Sequence, residues 1–244
     1  MVMTTSVLNP MPTFLHEEIA IKESNLKQIN RKSGRVYMDE EGNEYPSITS
    51  VLSILSKEGI MKWRERVGAE EANRISRQAV QKGNEIHDLL EMYVNNKYRP
   101  ATKIHASAEG PGGAADPLPH IMELFYNIHP IIDRNLSKVY ATEQRLHSKH
   151  LKVAGTADCV GVWKGKNSII DWKTSNKFKR KEWVSNYFMQ CAGYAIMWEE
   201  LTGMPITQLV VCIAGDQGPQ IFIEHRDNWY KELIETIDKY NRRK

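Results

Sequence analysis

Cysteine is scarce in this chain: three in 244 residues, Cys159, Cys191 and Cys212, with no C-x-x-C pair. So few, and an odd number, argue against a disulfide framework and against a zinc ribbon. Long apolar runs are lacking as well, none approaching the roughly 20 residues that cross a bilayer. Residues 1–18 contain no Lys or Arg, are interrupted by Pro10 and Pro12, and run into Glu17 and Glu18. Neither a secretory signal nor an Arg-rich transit peptide is expected there. Internal repeats and long low-complexity tracts are absent. The composition, 41% hydrophobic and 26% charged, is that of a globular protein, and the expectation is a soluble intracellular one.

Acidic residues are scarce in one place. From Arg145 to Lys181, ten basic residues face only Asp158 and Asp171. That segment carries +8, so the rest of a chain with net charge +3 carries −5. A basic segment in an otherwise acidic chain suits a polyanionic partner.

The pattern of apolar residues places this segment in the fold. Arg35 to Tyr45 reads as a small hairpin around a turn rich in Asp, Gly and Asn. Helical spacing begins after Pro46, with Ser47 as N-cap, and continues over about Ile60–Val67, Ala69–Asn95 and Leu118–Asp133. Between the last two, Lys97 to Pro119 holds four prolines and Glu109-Gly-Pro-Gly-Gly113, a long loop. From Lys138 the period shortens. Strands are expected over Lys138–His147, Lys152–Trp163 and Asn167–Thr174, a helix over Lys181–Leu201, strands over Ile206–Ala214 and Gln220–Glu224, and a helix over Asp227–Tyr240. The fold class is α/β (α+β): a β-β-β-α-β-β-α core with a helical N-terminal layer. The length fits one domain, residues 1–134 forming the hairpin and helical layer and 135–244 the core.

The chemistry concentrates in Gly155-Thr-Ala-Asp158 and Ile169-Ile-Asp171-Trp-Lys173. A tight turn at Lys164-Gly165 puts Asp158 opposite Asp171; a four-residue loop puts it opposite Lys173. Alternation sets Asp171 and Lys173 on one face of their strand and Trp172 on the other. Two adjacent carboxylates need a cation or a proton, and oxygen ligands suit Mg²⁺ or Mn²⁺. With Lys173 beside them, they are equipped for metal-assisted phosphodiester hydrolysis. A cross-strand salt bridge is the alternative.

Asp158 followed by Asp171-x-Lys173 on the next strand resembles the core of the PD-(D/E)XK nuclease superfamily. Gly83-Asn-Glu-Ile-His87, Glu143 and Gln190-Cys-Ala-Gly-Tyr194 are similar to the motifs of its RecB-like exonuclease branch. Pro46-Ser-Ile-Thr-Ser-Val-Leu52 and Trp63-Arg-Glu-Arg-Val-Gly68 resemble the group of mitochondrial genome-maintenance exonucleases and their phage relatives. Ala157 stands where the superfamily's name has proline. The resemblance implies a restriction-endonuclease-like core with a mixed central sheet flanked by helices. It also implies a Mg²⁺-dependent exonuclease acting on single-stranded DNA or single-stranded ends, with Asp158, Asp171 and Lys173 catalytic. Metal ligands would come from His87, Asp158, Asp171, the Trp172 carbonyl and Glu143, with Mn²⁺ able to substitute. Gln190 and Tyr194 would support the site or contact phosphate. Some RecB-like relatives hold an iron–sulfur cluster on four cysteines, which three cannot supply.

Lys177, Lys179, Arg180 and Lys181, followed by Trp183, Tyr187 and Phe188, suit a nucleic-acid strand whose phosphates are gripped and whose bases stack. Trp63 and Arg64 head a second basic patch or, equally, the solvated charged face of an amphipathic helix. The resemblance implies that the helices from Ser47 to Asn95, with the long loop after them, form a lid over the site. The lack of long apolar runs argues against a membrane partner, and a monomer is favoured over an oligomer. With no visible transit signal, a bacterial or phage-infected cytoplasm is expected rather than a mitochondrion.

Overall fold

The structure, a computed structural model, describes residues 13–22, 25–31, 34–98 and 117–243. Strands β1 (Leu15–His16), β2 (Lys27–Arg31), β3 (Gly34–Met38) and β4 (Glu44–Pro46) precede helices α1 (Ile48–Leu52), α2 (Lys57–Val67), α3 (Ala69–Val94) and α4 (Pro119–Asn135). Then follow β5 (Leu136–Ser148), β6 (Val153–Trp163), β7 (Lys166–Ser175), α5 (Ser185–Thr202), β8 (Gln208–Gly215), β9 (Gln220–His225) and α6 (Asp227–Asn241). The expected β-β-β-α-β-β-α order therefore stands. The expected loop from Lys97 to Pro119, with its Gly-rich Glu109–Gly113 stretch, falls largely outside the described residues.

The six-stranded sheet has the order β1-β5-β6-β7-β8-β9. It is mixed: β1 runs parallel to β5 and β7 parallel to β8, and the other neighbours are antiparallel. Helix α5 makes the crossover that a parallel β7–β8 pair requires. Two further differences from the sequence reading are local. The hairpin gains a third strand, β2, paired to β3, and the helix expected from Lys181 opens as a separate 3₁₀ turn, Lys181–Trp183, before α5. Ser47 does occupy the N-cap position of α1, but its hydroxyl bonds Thr49 Oγ1 at 2.7 Å and not a backbone N–H.

The sheet separates two cores. On one side Val160, Ile169, Leu209, Val211 and Ile213 meet α1, α5 and α6 through residues such as Ile48, Phe188, Trp198 and Leu233. On the other, Cys159, Trp163, Ile170, Trp172, Val210 and Cys212 meet α3 and α4 through Ile86, Leu90, Phe125 and Ile128. Each such side chain contributes roughly 1.5–3 kcal/mol by leaving water. Helix α3 is therefore built into the body from Ile86 onward. Its first four turns bury only Ala72, and α2 buries nothing, so the two pack little against the sheet and project from it. Cys191 lies on the α5 side of the sheet and Cys159 and Cys212 on the other.

Candidate active site

The turn between β6 and β7 sets the geometry. Lys164 and Gly165 take φ angles of 50° and 75°, the left-handed pair of a type I′ hairpin, whose second position glycine fills without steric cost. Trp163 pairs with Lys166, and the register runs to Cys159 opposite Ile170. Continued by one step, it sets Asp158 opposite Asp171, as the tight-turn reading expects. Pairing stops there. β6 continues against β5 while β7 continues against β8, so the strands fork, and both aspartates stand at the fork.

Neighbouring groups hold each acid. The Trp172 N–H donates to Asp158 Oδ2 at 2.8 Å. The Lys173 ammonium donates to Asp171 at 2.6 Å and lies 3.4 Å from the Trp172 carbonyl oxygen. From α5, Gln190 Nε2 donates to Asp171 Oδ1 at 3.2 Å and to the Tyr194 hydroxyl at 3.1 Å. Tyr194 fits only because β6 has Gly155: a Cβ there would stand 2.6 Å from Tyr194 Cε1 and 3.2 Å from Ile48 Cγ2. Asp171 is 1% exposed, and the Trp172 ring is buried on the opposite face, as alternation requires.

Helix α3 brings His87 to the fork, its Nδ1 3.7 Å from Asp158 Oδ2. Strand β5 brings Glu143, which the registers on either side place across from Asp158. The ladder breaks at this residue, where φ is +45°, an uncommon conformation for glutamate. One ligand atom each of His87, Glu143 and Asp158 lies within 4.8 Å of the others, a spacing one ion can span. Gly83 is not needed for a tight approach of α3, because a Cβ there would lie 3.9 Å from Thr174 Oγ1, an ordinary contact.

The charges have a common direction. Glu143 is exposed as a whole residue, yet partial loss of solvation at its carboxyl, with Asp158, Glu91 and Asp88 nearby, pushes that group up to about 7. Burial pushes Asp171 upward, against the pull of Lys173. Burial opposes the charge on Lys173, but Asp171 and Asp158 more than offset it and hold the ammonium above its usual range. Asp171, Asp158 and Glu143 therefore surround one ammonium, with Asp88 and Glu91 adding negative charge beside Glu143, which is the electrostatic setting of a cation site. Two hard carboxylate oxygens and an imidazole nitrogen match Mg²⁺ or Mn²⁺ better than a thiolate-seeking ion.

The remaining expected residues divide. Phe188 is fully buried and stacks on Trp229 at 5.2 Å, so it is core and not a base-stacking ring. Tyr187 turns inward, its ring centroid 5.4 Å from the Lys173 ammonium; nothing in the sequence links the two. Lys181 pairs with Glu224. Lys177, Lys179 and Arg180 lie on the segment leaving β7, with Arg180 5.4 Å over the exposed Trp183 ring. Trp63 is half-buried on α2, and Arg64 donates to Asn73 Oδ1 at 2.8 Å. The patch they head is on the projecting helices, not in the fork. Asp88 and Glu91 reach Glu143 electrostatically; a sequence period of 3.6 from Gly83 to His87 points to Glu91 but not to Asp88.

The chain is similar to exonucleases. It is 27% identical over 146 residues to the mouse mitochondrial genome maintenance exonuclease 1, covering 56% of this chain and 39% of that protein. The human protein of the same name is 26% identical over 147 residues, 56% of this chain and 38% of the other. This chain thus matches about two fifths of the length of those curated relatives. No family model matches. The crystal structure of SSO0001 aligns over 66% of this chain and 70% of its own, at 13% identity and a TM-score of 0.31, too remote to carry an argument. Among the described residues, no helix is long and apolar enough to cross a membrane.

Proposed function

We propose that the chain is a metal-dependent DNA exonuclease of the PD-(D/E)XK type, acting on single-stranded DNA or single-stranded ends. The observation that carries this reading is the fork of β6 and β7, which gathers His87, Glu143 and Asp158 beside the Asp171–Lys173 pair. Similarity to proteins named as exonucleases supports the same class.

In this mechanism His87, Glu143, Asp158, Asp171 and the Trp172 carbonyl would hold Mg²⁺, which would supply Lewis acidity toward the scissile phosphate and acidify a water. Lys173 acts as a cation. Its ammonium lies 2.6 Å from Asp171 and 3.4 Å from the Trp172 carbonyl, where it would orient the attacking water and offset the charge that grows on the phosphate. Gln190 fixes Asp171 from the other side, and Tyr194 fixes Gln190. The basic segment after β7 draws the polyanion toward the fork. Helix α3 supplies His87 while β5, β6 and β7 supply Glu143, Asp158, Asp171 and Lys173, so the two parts of the chain work as one unit.

The test uses linear and circular single-stranded DNA, the linear form labelled in turn at each end, with Mg²⁺ or with EDTA. An exonuclease releases mononucleotides from the linear form only, and only with the metal. Linearised circles would mean an endonuclease on the same fold, and no cleavage of either DNA would overturn the enzymatic reading.

A further inference from the structure

The segment joining β7 to α5 leaves the candidate site at Lys173 and returns to it at Gln190, and side chains tie down its backbone along the way. Ser175 Oγ donates to the Lys177 carbonyl at 2.6 Å. The Phe178 N–H donates to Gln217 Oε1 at 3.0 Å. Gln220 grips Lys179 twice, accepting from its N–H at 2.8 Å and donating to its carbonyl at 2.9 Å. The Trp183 N–H then closes a turn on the Arg180 carbonyl at 3.0 Å. A connector held at this many points is rigid, yet it exposes two large rings: Phe178 is 53% exposed and Trp183 60%.

Single exposed apolar residues are ordinary on protein surfaces. Two aromatic rings on one immobilised segment, interleaved with Lys177, Lys179 and Arg180, are a different case. Neither ring is needed by the core, and Arg180 already lies over Trp183. Stacking platforms for single-stranded nucleic acid combine these parts: a rigid π-surface for bases and cations for the backbone. Holding the rings in place before binding removes an ordering cost that a mobile loop would carry.

We propose that Phe178 and Trp183 form a base-stacking platform for single-stranded nucleic acid, the backbone at Phe178 and Lys179 held by Gln217 and Gln220 and that at Trp183 by its turn onto Arg180. The proposal rests on the nuclease reading for its location beside the site but not for its chemistry. Duplex ends, whose bases are already stacked, gain little from such rings, so the platform selects unpaired strands.

The probes are fluorescently labelled oligothymidylate and an abasic strand of the same length, which keeps the phosphates and lacks the bases. Binding is measured by anisotropy in EDTA with the full chain. Wild type is expected to bind the thymidylate more tightly. Phe178→Ala and Trp183→Ala should each weaken thymidylate binding by roughly 5- to 100-fold and leave abasic binding within about twofold. Gln220→Ala, which removes no ring, should weaken only the thymidylate as well. Equal affinity of wild type for both probes, or unchanged thymidylate binding by both ring variants, overturns the platform. Parallel cleavage assays with Mg²⁺ separate the two proposals. Cleavage without base-dependent binding sinks the platform alone, and base-dependent binding without cleavage sinks the nuclease alone.

Discussion

Replacing Gly155 by alanine tests whether α5 supports the fork as the contacts imply. The added Cβ would lie 2.6 Å from Tyr194 Cε1, 3.1 Å from its hydroxyl and 3.2 Å from Ile48 Cγ2. Ordinary carbon–carbon separation is about 3.5–4.0 Å, so the ring must retreat by about 1 Å or the strand must yield. Overpacking of this kind costs typically ~1–3 kcal/mol. At about 2–4 °C per kcal/mol for a chain of this size, the melting temperature should fall by several degrees. A retreat of Tyr194 also breaks its 3.1 Å bond with Gln190, which then holds Asp171 less firmly. Cleavage should therefore fall beyond what the loss of folded protein explains. The assay is calorimetric melting paired with single-turnover cleavage at a temperature where both proteins are folded. Adding Tyr194→Leu to the Gly155→Ala variant should recover part of the lost melting temperature by making room, without restoring activity. A Gly155→Ala protein that melts and cleaves as wild type would refute the reasoning.

Other predictions follow from the same contacts. Tyr187→Leu removes the ring facing the Lys173 ammonium and should lower kcat by about 2- to 30-fold, the range of a cation–π contact of ~0.5–2 kcal/mol, while Tyr187→Phe keeps it; equal kcat values for the Leu and Phe variants would contradict this. The raised carboxyls of Glu143 and Asp171 favour folding below the ordinary carboxylate range and lose that contribution as pH rises towards about 7. In EDTA the protein should therefore melt lower at pH 7.5 than at pH 5.5. Mg²⁺ should raise the melting temperature more at the higher pH, and Glu143→Gln should flatten both trends; a pH-independent Mg²⁺ shift in wild type would contradict the ligand assignment. Lys82→Met, which removes the ion pair with Asp216 and the 3.1 Å bond to Asn176 that tie α3 to the ends of β7 and β8, should weaken Mg²⁺ binding in calorimetric titration by loosening the helix that carries His87. Unchanged affinity would show that packing from Ile86 onward suffices.

Much of the site could be read before the fold, because its order is local. The Lys164-Gly165 turn determines a register, the register determines which acids meet, and period-2 alternation determines which face each takes. Asp171 and Lys173 on one face and Trp172 on the other follow from that alone, but not which of the two faces meets α5. What escaped the sequence is nonlocal. β1 is two residues long and pairs with β5 across more than a hundred positions, with no periodicity to announce it. Glu143 sits on a strand as expected, but its left-handed φ comes from the break in the β5–β6 ladder, which no propensity records. Tyr187 and Phe188 look equivalent in sequence, yet helix rotation sends one to Lys173 and the other into the core. Gln217 and Gln220 look like surface turn residues until the segment they clamp is seen beside them.

The most direct test of the central claim is cleavage of linear single-stranded DNA by Lys173→Ala in saturating Mg²⁺, alongside wild type, with DNA affinity measured in EDTA on the same preparations. The arrangement of Lys173 against Asp171 and the Trp172 carbonyl predicts a rate lower by a factor on the order of 100 or more, with affinity changed only slightly. A variant that cuts at the wild-type rate would show that the fork of β6 and β7 is not where the phosphodiester bond is broken.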